Sequence, residues 1–289
     1  MKVGIQLYSV KESMSKDPLG TMKKVAEVGY KNWETCELFG AEIENNYGMA
    51  GLSAKEAVKF LNDNGIQIIG THVSPMQMEK PDELSKLLDY NAEVGCWSPG
   101  LAADFWESLD DLKQKCELYN KVGEKCKEMG MVFHYHNHFH EFQKFGDKTL
   151  WDLLCEFTDP SLVKLEVDTY WVARAGLDPN AIISKDADRV IMIHQKDFPK
   201  NLDKPLSLFD YKFDYDKVLT GISDFYSLEH EDFIEVGTGC LPIQSYIDTA
   251  NKAGVKYITL EQDFTVLDEI ESIEVSMAEF KKFTGIEWA

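Results

Sequence analysis

What most constrains this chain is an alternation repeated eight times along its length. Short β-branched or apolar runs recur at Val3–Tyr8, Tyr30–Glu37, Ile66–Val73, Gly95–Leu101, Val132–Asn137, Leu162–Asp168, Val190–Gln195 and Tyr257–Gln262. Several are nearly unbroken, as in Val190-Ile191-Met192-Ile193, which is the pattern of parallel strands buried on both faces. The intervals carry helical spacing instead. Leu19, Met22, Val25 and Ala26 form one stripe that stops at Gly29, and Ser53-Ala54-Lys55-Glu56 has the form of a capping box ahead of Ala57, Phe60 and Leu61. Further helices are expected over Asp82–Ala92, Ser108–Met129, Thr149–Phe157, Asp178–Lys185, Pro242–Ala253 and Leu267–Phe283.

Eight strand-then-helix units in 289 residues predict a single α/β domain over residues 1–289, a closed (β/α)₈ TIM barrel. The competing arrangement is an open doubly wound sheet. Its dinucleotide-binding form lacks support, because no GxGxxG follows the first run. One interval is too long for the pattern. From Lys196 to Pro242 there is no clear amphipathic helix, although Asp214–Leu219 could form a short one. The stretch is rich in aromatics (Phe209, Tyr211, Phe213, Tyr215, Phe225, Tyr226). Residues 198–241 are therefore expected as an insertion after the seventh strand, either a lid over the mouth or a dimer interface.

Charge excludes one class of partner. Lys and Arg number 30 against 50 Asp and Glu, a formal net charge of −20, and such a field repels a phosphate backbone. Nucleic acid is not an expected partner. No apolar segment follows Met1 and no run is long enough to span a bilayer, so a cytoplasmic chain without membrane attachment is expected. The six cysteines are scattered without a CxxC pair and read as reduced thiols, mostly buried.

Chemistry is expected where the strands end, because barrel sites lie at the C-terminal face. The fifth run leads into His134-Tyr135-His136-Asn137-His138-Phe139-His140-Glu141, and the sixth ends Glu166-Val167-Asp168. The seventh ends His194-Gln195-Lys196-Asp197 and the eighth Glu261-Gln262-Asp263. Glu141, Asp168, His194 and Glu261 would thus present one ligand per successive strand to a divalent cation. Three carboxylates and an imidazole suit Mn²⁺ best, with Mg²⁺, Co²⁺ or Zn²⁺ as alternatives. Alternate histidines of a strand share a face. On that basis His136 and His138 are expected to line the pocket, His134 and His140 to be structural, and His72 to be a further pocket candidate. His230 reads as a surface residue of the insertion. Trp171 is the favoured sugar-stacking ring, while Trp33, Trp97 and Trp106 read as packing.

The chain resembles the xylose-isomerase-like sugar phosphate isomerase/epimerase superfamily. The resemblance runs through Gly4-Ile5-Gln6-Leu7-Tyr8-Ser9-Val10, His136-Asn137-His138-x-x-Glu141-Phe142, Asp168-x-x-Trp171 with Gly176-x-Asp178-Pro179, and His194-x-Lys196-Asp197. It implies a barrel holding a divalent cation through Glu141, Asp168, His194 and Glu261, with the two glutamates also moving a proton on opposite faces of a sugar, as in ketose 3-epimerases. Those epimerases carry a histidine where this chain has Trp171, and an arginine where it has Lys200. The superfamily also holds inosose dehydratases and lyases of 3-keto-glycosides. DNA-repair endonucleases share the fold, but they need more strand-end ligands than this chain offers.

The expected reaction is proton abstraction α to a carbonyl, through an enediolate, on a small sugar or cyclitol. Glu141 and Glu261 are the expected base and acid, with Lys196 or His138 serving a leaving group. Lys196, His72, His136 and Trp171 are expected to touch substrate. Return of the proton to carbon would make an isomerase or epimerase; loss of a β-oxygen would make a lyase. A non-catalytic sugar-binding barrel, or a subunit serving a partner enzyme, is the alternative outside catalysis. A homo-oligomer is compatible with the insertion.

Overall fold

All eight expected runs form strands, and they pair in parallel and in chain order until the last meets the first. The computed structural model describes residues 1–37, 47–221 and 228–288. The barrel strands are β1 (Lys2–Gln6), β2 (Asn32–Cys36), β3 (Gln67–Val73), β4 (Ser98–Leu101), β5 (Phe133–His136), β6 (Val163–Asp168), β7 (Val190–Gln195) and β8 (Tyr257–Leu260). Closure through the β1–β8 pairing, with Gly4 opposite Thr259, rules out the open sheet.

Seven of the eight strands are shorter than the runs that announce them, β7 alone matching its run. Gly95 takes φ 75° in the turn that ends the helix Pro81–Glu93, so β4 starts only at Ser98. Helices form where periodicity places them. Ser53 closes a capping box with Glu56, and Pro179 opens its helix behind the Asp178 cap. The longest helix, Leu109–Glu128, lies close against β6 because Gly123 has no side chain. A Cβ there would come within 2.4 Å of the Leu162 carbonyl oxygen.

Two faces of the barrel wall bury different chemistry. Outward-facing Trp33, Ile68, Tyr135, Val167, Ile193 and Ile258 join the main core under the helices. Inside, Ile69, Met192 and Tyr257 pack against Trp97 and Ile191 as a small apolar plug. The rest of the barrel interior is markedly polar for a buried space. Glu34, His134, His136, Glu166, Asp168 and His194 are all buried there.

The insertion after β7 is anchored at both ends by one carboxylate. Asp197 accepts from the amides of Phe198, Gly237, Gly239 and Leu241 at 2.9, 3.0, 2.9 and 3.1 Å. The expected helix over 214–219 does not form. The Gln143 side-chain amide donates instead to the carbonyls of Asp214 and Lys217 at 2.7 and 2.6 Å, and its oxygen accepts from the Leu219 amide at 2.9 Å. Phe209 and Phe213 pack on Phe139, with ring centroids 5.9 and 5.0 Å apart. Phe225 and Tyr226 lie outside the described residues. Among the described residues no helix is long and apolar enough to cross a membrane.

A buried ligand set at the mouth of the barrel

Strand ends converge as the alternation requires, but the set they form differs from the expected one. His136, Asp168, His194 and Glu261 bring one donor atom each to within 4.8 Å of one another. They come from the ends of β5, β6 and β7 and from the residue after β8. Register explains the level they share, since Asp168 lies opposite His194 and His194 opposite Thr259.

Hydrogen bonding fixes how two of these donors face the centre. The Nδ1 of His136 lies 2.9 Å from the Ala102 carbonyl oxygen. A carbonyl can only accept, so Nδ1 carries a proton and, in the neutral ring, Nε2 carries the lone pair. That Nε2 sits 3.5 Å from Oδ2 of Asp168, and both atoms are buried without a hydrogen-bond partner. Two buried acceptors facing each other are costly, and the Lys196 ammonium 3.4 Å from Asp168 Oδ2 offsets only part of it. A cation between them removes the cost. The other oxygen of Asp168 caps the helix Thr169–Arg174 through the Trp171 amide at 2.9 Å, which holds the carboxylate in this orientation.

His194 lies between carboxylates, with Nδ1 3.0 Å from Glu261 and Nε2 2.6 Å from Glu34. Burial opposes charge on its ring, but Glu166, Glu34 and Glu261 outweigh that and hold its pKa well above the usual histidine range. Lys196 is buried beside the set. Its ammonium bonds Glu261 and lies 3.0 Å from Asp263 and 3.4 Å from Asp168. Burial disfavours that ammonium too, yet Asp263, Glu261 and Asp168 raise its pKa well above normal. Glu261, despite burial, is held well below the carboxylate range by Lys196 and His194. His138 is half-buried at the rim, with its ring 5.5 Å from Trp171. Burial, then His136 and Lys196, keep its pKa well below normal.

Glu141, expected as the first ligand, stands outside this set. The short turn His140–Phe142 carries its carboxylate under the loop. There one oxygen accepts from the Tyr135 hydroxyl at 2.9 Å and the other from the His138 amide at 2.9 Å. His136 takes the strand-end position instead. The count of carboxylates thus falls from three to two, and the donor set becomes more favourable to borderline cations than the one that pointed to Mn²⁺. Trp171 is 2% exposed and is enclosed by Phe139, Tyr170 and Phe233. Its ring carries the Lys196 ammonium 5.3 Å from its centroid and offers little face to a sugar. His72 lies deeper, stacked on His194 at 5.4 Å. Glu34 and Glu166 were missed by the sequence reading. The signal was there, a charged residue inside an otherwise apolar buried strand.

The sequence model of the xylose isomerase-like TIM barrel family matches residues 22–282, and the chain belongs to that family. Among curated relatives, the inosose dehydratase of Clostridium beijerinckii is 27% identical over 191 residues, covering 65% of this chain and 60% of that protein. The match thus spans about three fifths of the relative's length. A solved sugar phosphate isomerase/epimerase from Parabacteroides distasonis superimposes with TM-score 0.75 at 21% identity, over 99% of this chain and 95% of the other. The IolI protein, solved with a zinc atom, superimposes with TM-score 0.70 at 10% identity, over 98% and 97% of the two chains.

Proposed function

We propose that this chain is a lyase that dehydrates a keto-sugar or keto-cyclitol, with a divalent cation held by His136, Asp168, His194 and Glu261. The observation that carries the reading is the facing pair of buried acceptors, His136 Nε2 and Asp168 Oδ2, neither of them hydrogen-bonded, beside the buried Lys196 ammonium. When bound, the cation would act as a Lewis acid that polarises the substrate carbonyl. Likeness to inosose dehydratases supports elimination over isomerisation. So does the position of Glu141. Both its oxygens hold the loop, so a pair of glutamates working opposite faces of a sugar is not what the mouth presents.

Elimination needs a group that takes the α proton and one that gives a proton to the departing β-oxygen. His138, at the rim with its ring beside Trp171, takes the proton. Lys196 gives one to the β-oxygen, which leaves as water. The C–H pair becomes the new carbon–carbon double bond as the C–O bond breaks. Asp263 and Glu261 keep Lys196 charged and aimed. Proton NMR of an inosose and keto-sugar panel in D₂O, with and without added Mn²⁺ or Zn²⁺, tests this. A dehydrated product dependent on cation is expected. Deuterium exchange without product would make the chain an isomerase or epimerase, and neither signal on any substrate would leave a binding barrel.

A further inference from the structure

One layer below the mouth, nearer the apolar plug, lies a second group of buried donors that the proposed reaction does not use as ligands. Glu34 on β2, His72 on β3, His134 on β5 and Glu166 on β6 also bring one donor atom each to within 4.8 Å of one another. Their cross-distances are uniform. His72 Nε2 is 3.5 Å from Glu34 Oε1 and 3.2 Å from Glu166 Oε2. His134 Nε2 is 3.6 and 3.3 Å from the same two oxygens. Four donors placed tetrahedrally at zinc bond lengths of about 2.0–2.1 Å stand about 3.4 Å apart along every edge. The His72–Glu166 contact at 3.2 Å is also a hydrogen-bond length, while the other three, at 3.5, 3.6 and 3.3 Å, straddle the tetrahedral edge and exceed what direct N–H···O bonds prefer.

The protonation pattern points the same way. Ser98 Oγ has one proton and spends it on the Val132 carbonyl at 2.6 Å. It can therefore only accept from His134 Nδ1, 2.8 Å away. His134 Nδ1 is the donor nitrogen, so in the neutral ring Nε2 turns its lone pair toward two carboxylates. Nε2 of His134 and Oε1 of Glu34 are both buried without a hydrogen-bond partner. This is the arrangement of His136 and Asp168 repeated one layer down. The opposing backbone makes room for it. A Cβ on Gly100 would fall 1.9 Å from His134 Nε2, and one on Gly70 2.6 Å from Glu34 Oε1.

We infer that the barrel interior holds a second divalent cation, of zinc type, closed by Glu34, His72, His134 and Glu166. Met by protein donors from four strands and buried below the strand ends where a substrate would bind, the ion is structural rather than catalytic. It ties four strands together from inside and fixes Glu34, whose other oxygen bonds His194 Nε2. A proton on His134 Nε2 is the competing occupant.

The test counts ions in the intact chain. After loading with Zn²⁺ and removal of free metal, elemental analysis should give two ions per chain. His134→Ala and Asp168→Ala should each give one, and the double variant none. Adding Zn²⁺ should raise the melting temperature of Asp168→Ala well above that of its metal-free form. Cobalt-loaded wild-type protein should show the intense visible absorption of a four-coordinate site, and Asp168→Ala should keep it, which does not depend on the His134 variant folding. One ion in the wild type, lost in Asp168→Ala and kept in His134→Ala, would overturn the second site while leaving the mouth intact. So would ¹⁵N NMR showing both His134 ring nitrogens protonated after zinc loading. Failure of the dehydration reading leaves these counts unchanged, so the two are separable.

Discussion

Each ring nitrogen of His136 has a defined task, and its mutants can be read against it. His136→Ala leaves Asp168 Oδ2 facing an empty volume and removes one of four donors at the mouth. Such a variant should lose the mouth cation, as elemental analysis would show, and wild-type metal content would remove His136 from the set. Glu141→Gln should behave in the opposite way. The amide keeps the size and one acceptor, but it cannot satisfy both the Tyr135 hydroxyl and the His138 amide equally well. We expect metal content to stay at the wild-type level while stability falls by about 1–3 kcal/mol in chemical denaturation. Loss of one ion would restore Glu141 as a ligand. Lys196→Met keeps the stem against Trp171 and removes the proton, so kcat should fall at least ~10²-fold. Turnover at the wild-type rate would exclude Lys196 as the acid. Three of the four mouth donors were legible from strand ends alone. The fourth was not, because sequence spacing cannot tell a ligand that ends a strand from a carboxylate folded back by a 3₁₀ turn five residues later.

At the scale of elements, strands and helices follow periodicity closely, since burial on two faces or one stripe writes itself into the residue order. The insertion does not, because distant side chains decide its path. Gln143, far back in the chain, takes the carbonyls that a helix over 214–219 would have used. Asp232 is likewise buried against Arg174 at 2.8 Å, bonds Lys204, and offers its carbonyl to the Tyr170 hydroxyl at 2.9 Å. Asp232→Ala would strand a buried guanidinium and should cost about 3–5 kcal/mol in denaturant unfolding. A loss under 1 kcal/mol would show that the insertion is not held by this pair. Phe209 and Phe213, counted from sequence as lid or interface residues, are turned onto Phe139 within the same chain. A shortened 206–221 stretch should therefore raise KM before it changes sedimentation mass. A change in mass with kinetics intact would make the insertion an interface.

For the whole molecule, the polar interior carries a stability consequence. Carboxylates and imidazoles occupy space that most barrels fill with branched apolar chains, so the folded state is expected to depend on what neutralises them. A ligand at a hundred times its Kd stabilises the fold by about 2.7 kcal/mol. Chelation should lower the melting temperature by several degrees in a scan, and readdition of the ion should restore it. A melting temperature indifferent to chelator would show that the interior is satisfied by protons alone. Asp197 ties the insertion to the end of β7. Its carboxylate receives amides from both margins of the insertion, Phe198 on one side and Gly237, Gly239 and Leu241 on the other, so the chain between them starts and finishes at a single point. Doubling the length of a flexible loop costs only about 0.6 kcal/mol in closure entropy. A replacement segment that keeps a carboxylate for Arg174 and the backbone partners of Gln143 can therefore differ in length or charge elsewhere while the strands beneath keep their register.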